Sequence, residues 1–150
     1  IGALFTLRAL VSTGTRLPAG FISTPRWSHR IMLAALLLAG GAVLVLAQRS
    51  GYTAFSLALV AEGISFGIFL TAGQAFVTQY AEAEVRGAAL GAYNMAGGIG
   101  TALSPFILGV LAESFGLDTI FFLVGVVTLG GALALAVAFQ GAIKHARPAG

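Results

Sequence analysis

The chain has 150 residues, of which 58% are hydrophobic and only 9% are charged, and its mean hydropathy is +0.97. Because a soluble domain carries roughly 25% charged residues, this composition excludes a soluble fold. The net charge of +3 comes from basic residues that are scattered along the chain, and without a basic stripe it does not indicate binding to nucleic acid. Cysteine is absent, which excludes disulfides and thiolate metal sites, and no cofactor is predicted.

Apolar segments follow one another along the chain, each long enough to cross a membrane at about 20 residues per span. None alternates with a period of two, so they are predicted to be helices rather than strands of a barrel. The expected fold class is an all-α polytopic bundle of about five transmembrane helices. The predicted bounds are 1–23, 31–48, 53–80, 86–113 and 118–140, with a polar tail at 141–150.

The ends and the loops of the chain carry two further predictions. Because the sequence starts at Ile1 in an apolar segment without signal-peptide features, we expect a fragment whose N-terminal part is missing. The loops after the first and third helices, together with the tail, hold more Lys and Arg than the opposite side, where only Arg49 lies. The positive-inside rule therefore predicts a cytoplasmic C-terminus, and we expect an integral protein of the inner or plasma membrane.

A polar stripe along the first helix is formed by Arg8, Ser12, Thr15 and Arg16, at spacings i, i+4, i+7 and i+8. Further polar residues lie within the third and fourth helices: Glu62, Tyr93 and Asn94. A charge at membrane depth costs about 2.5–3.5 kcal/mol even on a lenient scale, so such residues face protein or a wet cavity. The first, third and fourth helices are therefore predicted to line a polar interior, with the second and fifth outside.

These residues are the candidate substrate and proton-coupling groups. Glu62 is interpreted as a proton-coupling carboxylate or a ligand for a cationic substrate, against the alternatives of a structural ion pair or a solvated wall residue. Arg8 would pair with Glu62 or hold an anionic substrate, or else reach outward to the interface. Ser12, Tyr93 and Asn94 are candidate hydrogen-bonding groups for the substrate, and interhelical packing is the alternative.

Proline interrupts two of the predicted helices, at Pro18 and Pro105. Broken helices in related positions are typical of transporters that rock between two states, so both prolines are candidate hinges, with a static kink as the alternative. Glycine pairs four residues apart, which let helix backbones approach closely, occur in the third and fourth helices: Gly63 with Gly67, and Gly87 with Gly91.

The stretch 16–23, followed by Arg26 and Arg30, resembles the cytoplasmic loop motif of the major facilitator superfamily, which reads Gly-x-Leu-(Ala/Ser)-Asp-Arg-x-Gly-Arg-(Lys/Arg). Gly20 matches the start of that motif, and the two arginines match its basic positions if one residue is inserted. Thr24 stands where the motif has its acidic residue. The resemblance implies that Arg16, Gly20, Arg26 and Arg30 belong to a loop that latches one conformation.

Two later stretches resemble the same family. Residues 86–91 resemble the start of its eleventh helix, and 98–109 resemble its Gly-x-x-x-Gly-Pro-x-x-Gly-Gly signature with Ser104 and Leu108 in place of glycines. The likeness covers nearly the whole chain as helices eight to twelve of twelve. It implies a secondary active transporter that moves a small solute by alternating access, as a permease or an efflux protein, together with the missing N-terminal half. In the family the eighth, tenth and eleventh helices line the cavity.

Other classes of function remain as alternatives. For a transporter the expected partners are a small-molecule substrate and the lipid bilayer. Protons are a further expected partner, and that expectation depends on Glu62 alone. An intramembrane enzyme would need a catalytic cluster, and the sequence offers no catalytic candidates because no helix has two His and Glu62 has no carboxylate neighbour on its helix face. A non-transporting membrane scaffold or a transporter remnant is the remaining alternative, since five helices lack half of a transport bundle.

Overall fold

A computed structural model of the chain describes residues 2–24, 27–48 and 51–145. This part of the chain is helical throughout, with short turns and no strand, which confirms the predicted all-α bundle. The helices are α1 (Gly2–Ile22), α2 (Ser28–Leu46), α3 (Tyr52–Tyr80), α4 (Arg86–Phe115) and α5 (Leu117–His145).

Four of these helices are long and apolar enough to cross a membrane: α2, α3, α4 and α5 over 117–140. Their backbone polar groups bond within each helix, which is what a lipid environment demands. The fifth, α1, has 21 residues and would span about 31 Å. It is not among the four, since Arg8, Arg16 and the hydroxyl groups between them lower its hydropathy. That α1 crosses the membrane stays a prediction.

Most helix ends lie within two residues of the sequence expectation, and the start of α2 and the end of α5 differ by more. The Thr24 carbonyl accepts the N–H groups of Trp27 and Ser28 at 3.0 Å each, so α2 begins at Ser28 rather than at 31. Gly116 ends α4 with φ of +82°, which glycine adopts without strain. Since α5 begins directly at Leu117, Asp118 lies in its first turn, where the helix dipole stabilises a carboxylate. At the other end α5 continues to His145, beyond the predicted 140.

α3 is the central helix of the bundle. α1 runs parallel to it, since Arg8 packs against Gly63 and Gly20 against Thr71. α2 runs antiparallel on another face of α3, and α5 packs against α2 through Gly40 and Gly125, each covered by a leucine of the other helix. Two apolar clusters hold these helices together, Met32, Ala72 and Phe139 at one end and Leu46, Ala58 and Leu59 at the other.

α4 packs differently from the other helices. It makes limited contact with α3 and α5, and none of its 30 residues is buried. It remains one continuous helix through Pro105, as α1 does through Pro18, so the hinge role of both prolines stays a prediction. Because proline has no N–H, Pro105 cannot donate to the carbonyl of Thr101 four residues earlier. α4 thus forms a loosely attached wall opposite α1 and α3.

Candidate functional site

A groove between α4 and the α1–α3 pair contains two cavities. The first, here called the Glu62 cavity, has a volume of about 480 Å³, and its polar lining comes from Arg8, Glu62, Thr101 and Ser104. The second, called the Arg16 cavity, has a volume of about 410 Å³. Thr101 lines both, so the two cavities follow one another along the groove. The described residues of α2 and α5 that line these walls are apolar.

The Glu62 cavity holds an ion pair between α1 and α3. Arg8 donates from Nε and Nη2 to the two carboxylate oxygens of Glu62, with Nη2 to Oε1 at 2.7 Å. Gly63 makes this approach possible, because a Cβ there would lie 2.8 Å from the Arg8 carbonyl oxygen. The Arg8 guanidinium also lies 5.5 Å from the centre of the Phe66 ring. The sequence left several interpretations of Arg8 and Glu62 open. The structure brings the two residues together as a half-buried ion pair.

The rest of the polar stripe of α1 is divided between two environments. Ser12 is 4% exposed and packs against Gly67 of α3, so it lines neither cavity. The Thr15 hydroxyl also meets Gly67 and donates to the carbonyls of its own helix at 3.0 Å. Arg16, by contrast, is exposed and lines the Arg16 cavity. A helical stripe therefore identifies the face of α1 that meets α3, but only its two arginines reach the groove.

Tyr93 and Asn94 bring α4 against α3 at the wall of the Arg16 cavity. Gln74 donates from Nε2 to Asn94 Oδ1 at 2.9 Å. The hydroxyl end of Tyr93 lies directly over Gly73, where any Cβ would collide with it. Both residues line the cavity together with Phe66 and other apolar groups of α3. Asn94 thus takes part in interhelical packing through Gln74, and its hydrogen bond to a substrate stays a prediction.

Of the proposed switch-loop residues that the structure describes, Arg16 lines a cavity, whereas Gly20 and Arg30 line neither of the two. Gly20 faces the methyl group of Thr71, and Arg30 packs over the Trp27 ring with its guanidinium carbon 5.1 Å from the ring centre. Arg26 lies outside the described residues. Within the described residues, Gly20 and Arg30 resemble the loop motif but do not line the groove.

Gln79 is a structural residue that the sequence reasoning missed. Its Oε1 accepts a hydrogen bond from the Ser28 hydroxyl at 3.3 Å, and its Nε2 donates to the Ser23 carbonyl at 3.5 Å. Ser28 is fully buried. The only signal in the sequence was a glutamine one residue before the end of an apolar helix, which does not identify its partners in the turn between α1 and α2.

Within the described residues the groove holds no cluster of side chains that would bind a metal. Among residues 2–24, 27–48 and 51–145, no three His, Cys, Asp or Glu side chains come together in a way that would hold an ion. The chemistry available in the groove is one guanidinium–carboxylate pair, a second guanidinium, hydroxyl and amide groups, and aromatic rings. These groups suit reversible binding of a small molecule.

The sequence was also compared with known proteins. Neither a search of curated proteins nor a search of solved structures finds a match to this chain. The sequence model of the Major Facilitator Superfamily matches residues 1–149. With that match over nearly its whole length, and with a helical bundle in which four helices are able to span a membrane, the chain belongs to the Major Facilitator Superfamily.

Proposed function

We propose that this chain forms part of a secondary active transporter that moves a small solute across the membrane by alternating access, and that the groove is its solute path. The observation that carries the proposal is the convergence of polar groups from α1, α3 and α4 on one groove, while the described residues of α2 and α5 that line it are apolar. Charges inside a membrane protein are expensive and usually mark a substrate or ion path. A non-transporting scaffold would have no use for such a groove.

The proposal includes a second wall for the groove. α4 leaves polar residues such as Thr101 and Ser104 exposed, and none of its residues is buried within the described bundle. In transporters built from repeats, the substrate site lies at the interface between two halves. We propose that further helices of the same protein, its N-terminal half, cover this side and complete the path.

Transport would be tested with the full-length protein in proteoliposomes. A panel of radiolabelled solutes that includes a neutral sugar, a dicarboxylate, an organic anion and an organic cation is offered on one side, and saturable uptake of at least one of them is expected. Liposomes with the Thr101→Trp variant are the control. The bulky side chain fills the groove where the two cavities meet, so this variant is expected to lose uptake. Absence of saturable uptake for the whole panel would favour the scaffold.

Proton coupling is a finer part of the proposal, and it depends on Glu62. A proton on Glu62 removes the negative charge that Arg8 faces, so protonation and opening of the pair are linked. Glu62→Gln is therefore expected to abolish accumulation driven by a pH gradient while solute exchange continues in part. Glu82→Gln, at an exposed position in the turn between α3 and α4, is the control. Accumulation that survives in Glu62→Gln would end the proposal of proton coupling.

We also propose an orientation in which the α1–α2 turn, the α3–α4 turn and the C-terminus face the cytoplasm. The membrane is proposed to be the inner or plasma membrane of the cell. Single cysteines at the exposed Thr24 and Thr53 report opposite sides of the bundle. A membrane-impermeant maleimide added to intact cells is expected to label Thr53→Cys and to spare Thr24→Cys. The reverse pattern would overturn the orientation.

A further inference from the structure

The two cavities of the groove differ in the charge that they hold. The Glu62 cavity is lined by one cation and one anion, which neutralise each other because both carboxylate oxygens of Glu62 accept from the guanidinium of Arg8. Among the described residues that line the Arg16 cavity, Arg16 is the one that carries a charge. The groove as a whole therefore carries one positive charge in excess.

That charge has no protein partner within the described part of the chain. Arg16 makes no ion pair with any residue of 2–24, 27–48 or 51–145, and Glu62, the acidic group of the groove, is occupied by Arg8. An uncompensated charge in a groove of low polarity favours a bound counterion. A guanidinium also presents a planar set of donors that matches carboxylate and sulfonate groups. The electrostatics of the Arg16 cavity thus select an anion.

The uncharged residues that line the Arg16 cavity indicate what kind of molecule would carry the anionic group. Phe66, Phe69, Leu70 and Tyr93 supply an aromatic and aliphatic wall. Asn94 accepts from Gln74 at its side-chain oxygen, and its amide nitrogen supplies two N–H donors for a ligand. The cavity volume of about 410 Å³ falls within the usual range for small-molecule sites. Donors on a mostly apolar surface suit an acidic group attached to a flat apolar body.

We propose that the Arg16 cavity binds a small organic monoanion with an aromatic or otherwise flat apolar body, held by a charge-assisted hydrogen bond to Arg16. Phe66, Phe69 and Tyr93 pack against the body of the ligand, and Asn94 donates to its acidic group. This inference rests on the proposed transport function, since it names the class of solute that the groove carries. Arg8 is not the anion-binding residue, because Glu62 holds it.

The test measures equilibrium binding to the full-length protein in phosphatidylcholine nanodiscs. The probes are tritiated naphthalene-1-sulfonate and its cationic counterpart 1-naphthyltrimethylammonium, two permanent ions of similar shape. The wild type is expected to bind the sulfonate at least about tenfold more tightly than the cation. This comparison needs no variant, so it stands even if substitutions at Arg16 impair folding. Equal affinity for the two ions, tighter binding of the cation, or no saturable binding of the sulfonate overturns the inference.

Substitutions then locate the charge. Arg16→Gln is expected to weaken sulfonate binding by at least about tenfold, and Arg16→Lys, which keeps the charge, by less. Arg86→Gln removes an exposed arginine at the start of α4, outside both cavities, and is expected to leave the affinity unchanged. If Arg16 only reaches from α1 to the membrane interface, Arg16→Gln will leave sulfonate binding intact, and that result also overturns the inference.

An anionic lipid headgroup shares the chemistry of the proposed ligand and is distinguished by the bilayer. Repeating the measurement with phosphatidylglycerol in the nanodiscs is expected to leave sulfonate affinity unchanged, whereas competitive loss of binding would identify the lipid as the occupant and contradict the inference. The outcome is separable from that of the transport proposal. Saturable uptake of a neutral or cationic solute without sulfonate binding would retain transport and reject the anion.

Discussion

Helices α3 and α4 are nearly equal in length, with 29 and 30 residues, and each carries a pair of glycines four residues apart. In α3 both glycines of the pair, Gly63 and Gly67, lie against the backbone of α1. In α4 a Cβ at Gly87 or Gly91 would meet nothing within 4 Å. The same sequence pattern thus marks a closed interface in α3 and an open surface in α4. The difference is that α1 packs on the glycines of α3, whereas no described helix packs on those of α4.

The largest expected effect comes from closing the space that α3 leaves for α1. A side chain at residue 67 would collide with the Ser12 carbonyl and the Thr15 hydroxyl. Gly67→Leu is therefore expected to lower the free energy of unfolding, measured in lipid bicelles, by about 3 kcal/mol because the overpacked interface must separate. Gly91→Leu is the matched control on α4, with an expected change within about 0.5 kcal/mol. Equal losses in the two variants would remove the contrast between the helices.

The next effect concerns the ion pair that joins α1 to α3. Glu62→Gln leaves the Arg8 guanidinium without its anionic partner at membrane depth, and a loss of about 2 kcal/mol in the free energy of unfolding is expected. The double variant with Arg8→Gln should recover part of that loss, since it removes the unpaired charge. Strictly additive losses in this double-mutant cycle would mean that the pair contributes no coupling.

The contact between α3 and α4 is expected to be weaker. Gly73→Ala pushes against the Tyr93 ring, which belongs to the less constrained helix and is able to move. A loss of about 1 kcal/mol in the free energy of unfolding is expected, with a weaker affinity for naphthalene-1-sulfonate because Tyr93 lines the Arg16 cavity. Gly100→Ala, where nothing lies within 4 Å, serves as the control. A larger loss for Gly100→Ala than for Gly73→Ala would contradict the described packing of α4.

The smallest expected effect is at the turn between α1 and α2. Gln79→Ala removes the hydrogen bonds to Ser28 and to the Ser23 carbonyl. Interhelical hydrogen bonds in membranes contribute about 0.6 kcal/mol each on average. Because these two are long, at 3.3 and 3.5 Å, their joint loss is expected to lower the free energy of unfolding by only about 0.6 kcal/mol. Maleimide labelling of a cysteine at Thr24, on the same turn, should become faster. Unchanged labelling would show that Gln79 does not hold the turn.

Much of the fold was readable from the sequence because lipid allows few solutions. Long apolar segments must be helices, and a glycine, Gly116, stands where α4 ends. The polar stripe of α1 also predicts its contact with α3. In each case a local property of the residues decides the local structure.

The parts that sequence reasoning left open depend on neighbours across the bundle. Glu62 had the same sequence context whether it was a free carboxylate or a partner of Arg8, and only the parallel packing of α1 on α3 decides between them. Ser12 and Arg16 share one stripe, yet Gly67 buries the first and the groove receives the second. Helical periodicity gives the direction of a side chain but not its depth.

The central claim is that the groove between α4 and the α1–α3 pair is the solute path. Thr101 lines both cavities, so a single cysteine there reports on the whole groove. The measurement is the rate of reaction of Thr101→Cys with a membrane-impermeant maleimide, in the full-length protein free of other cysteines, using right-side-out and inside-out vesicles. Alternating access predicts reaction from both sides, with reaction from each side slowed by a transported solute. Reaction from one side only, or from neither, would contradict the account.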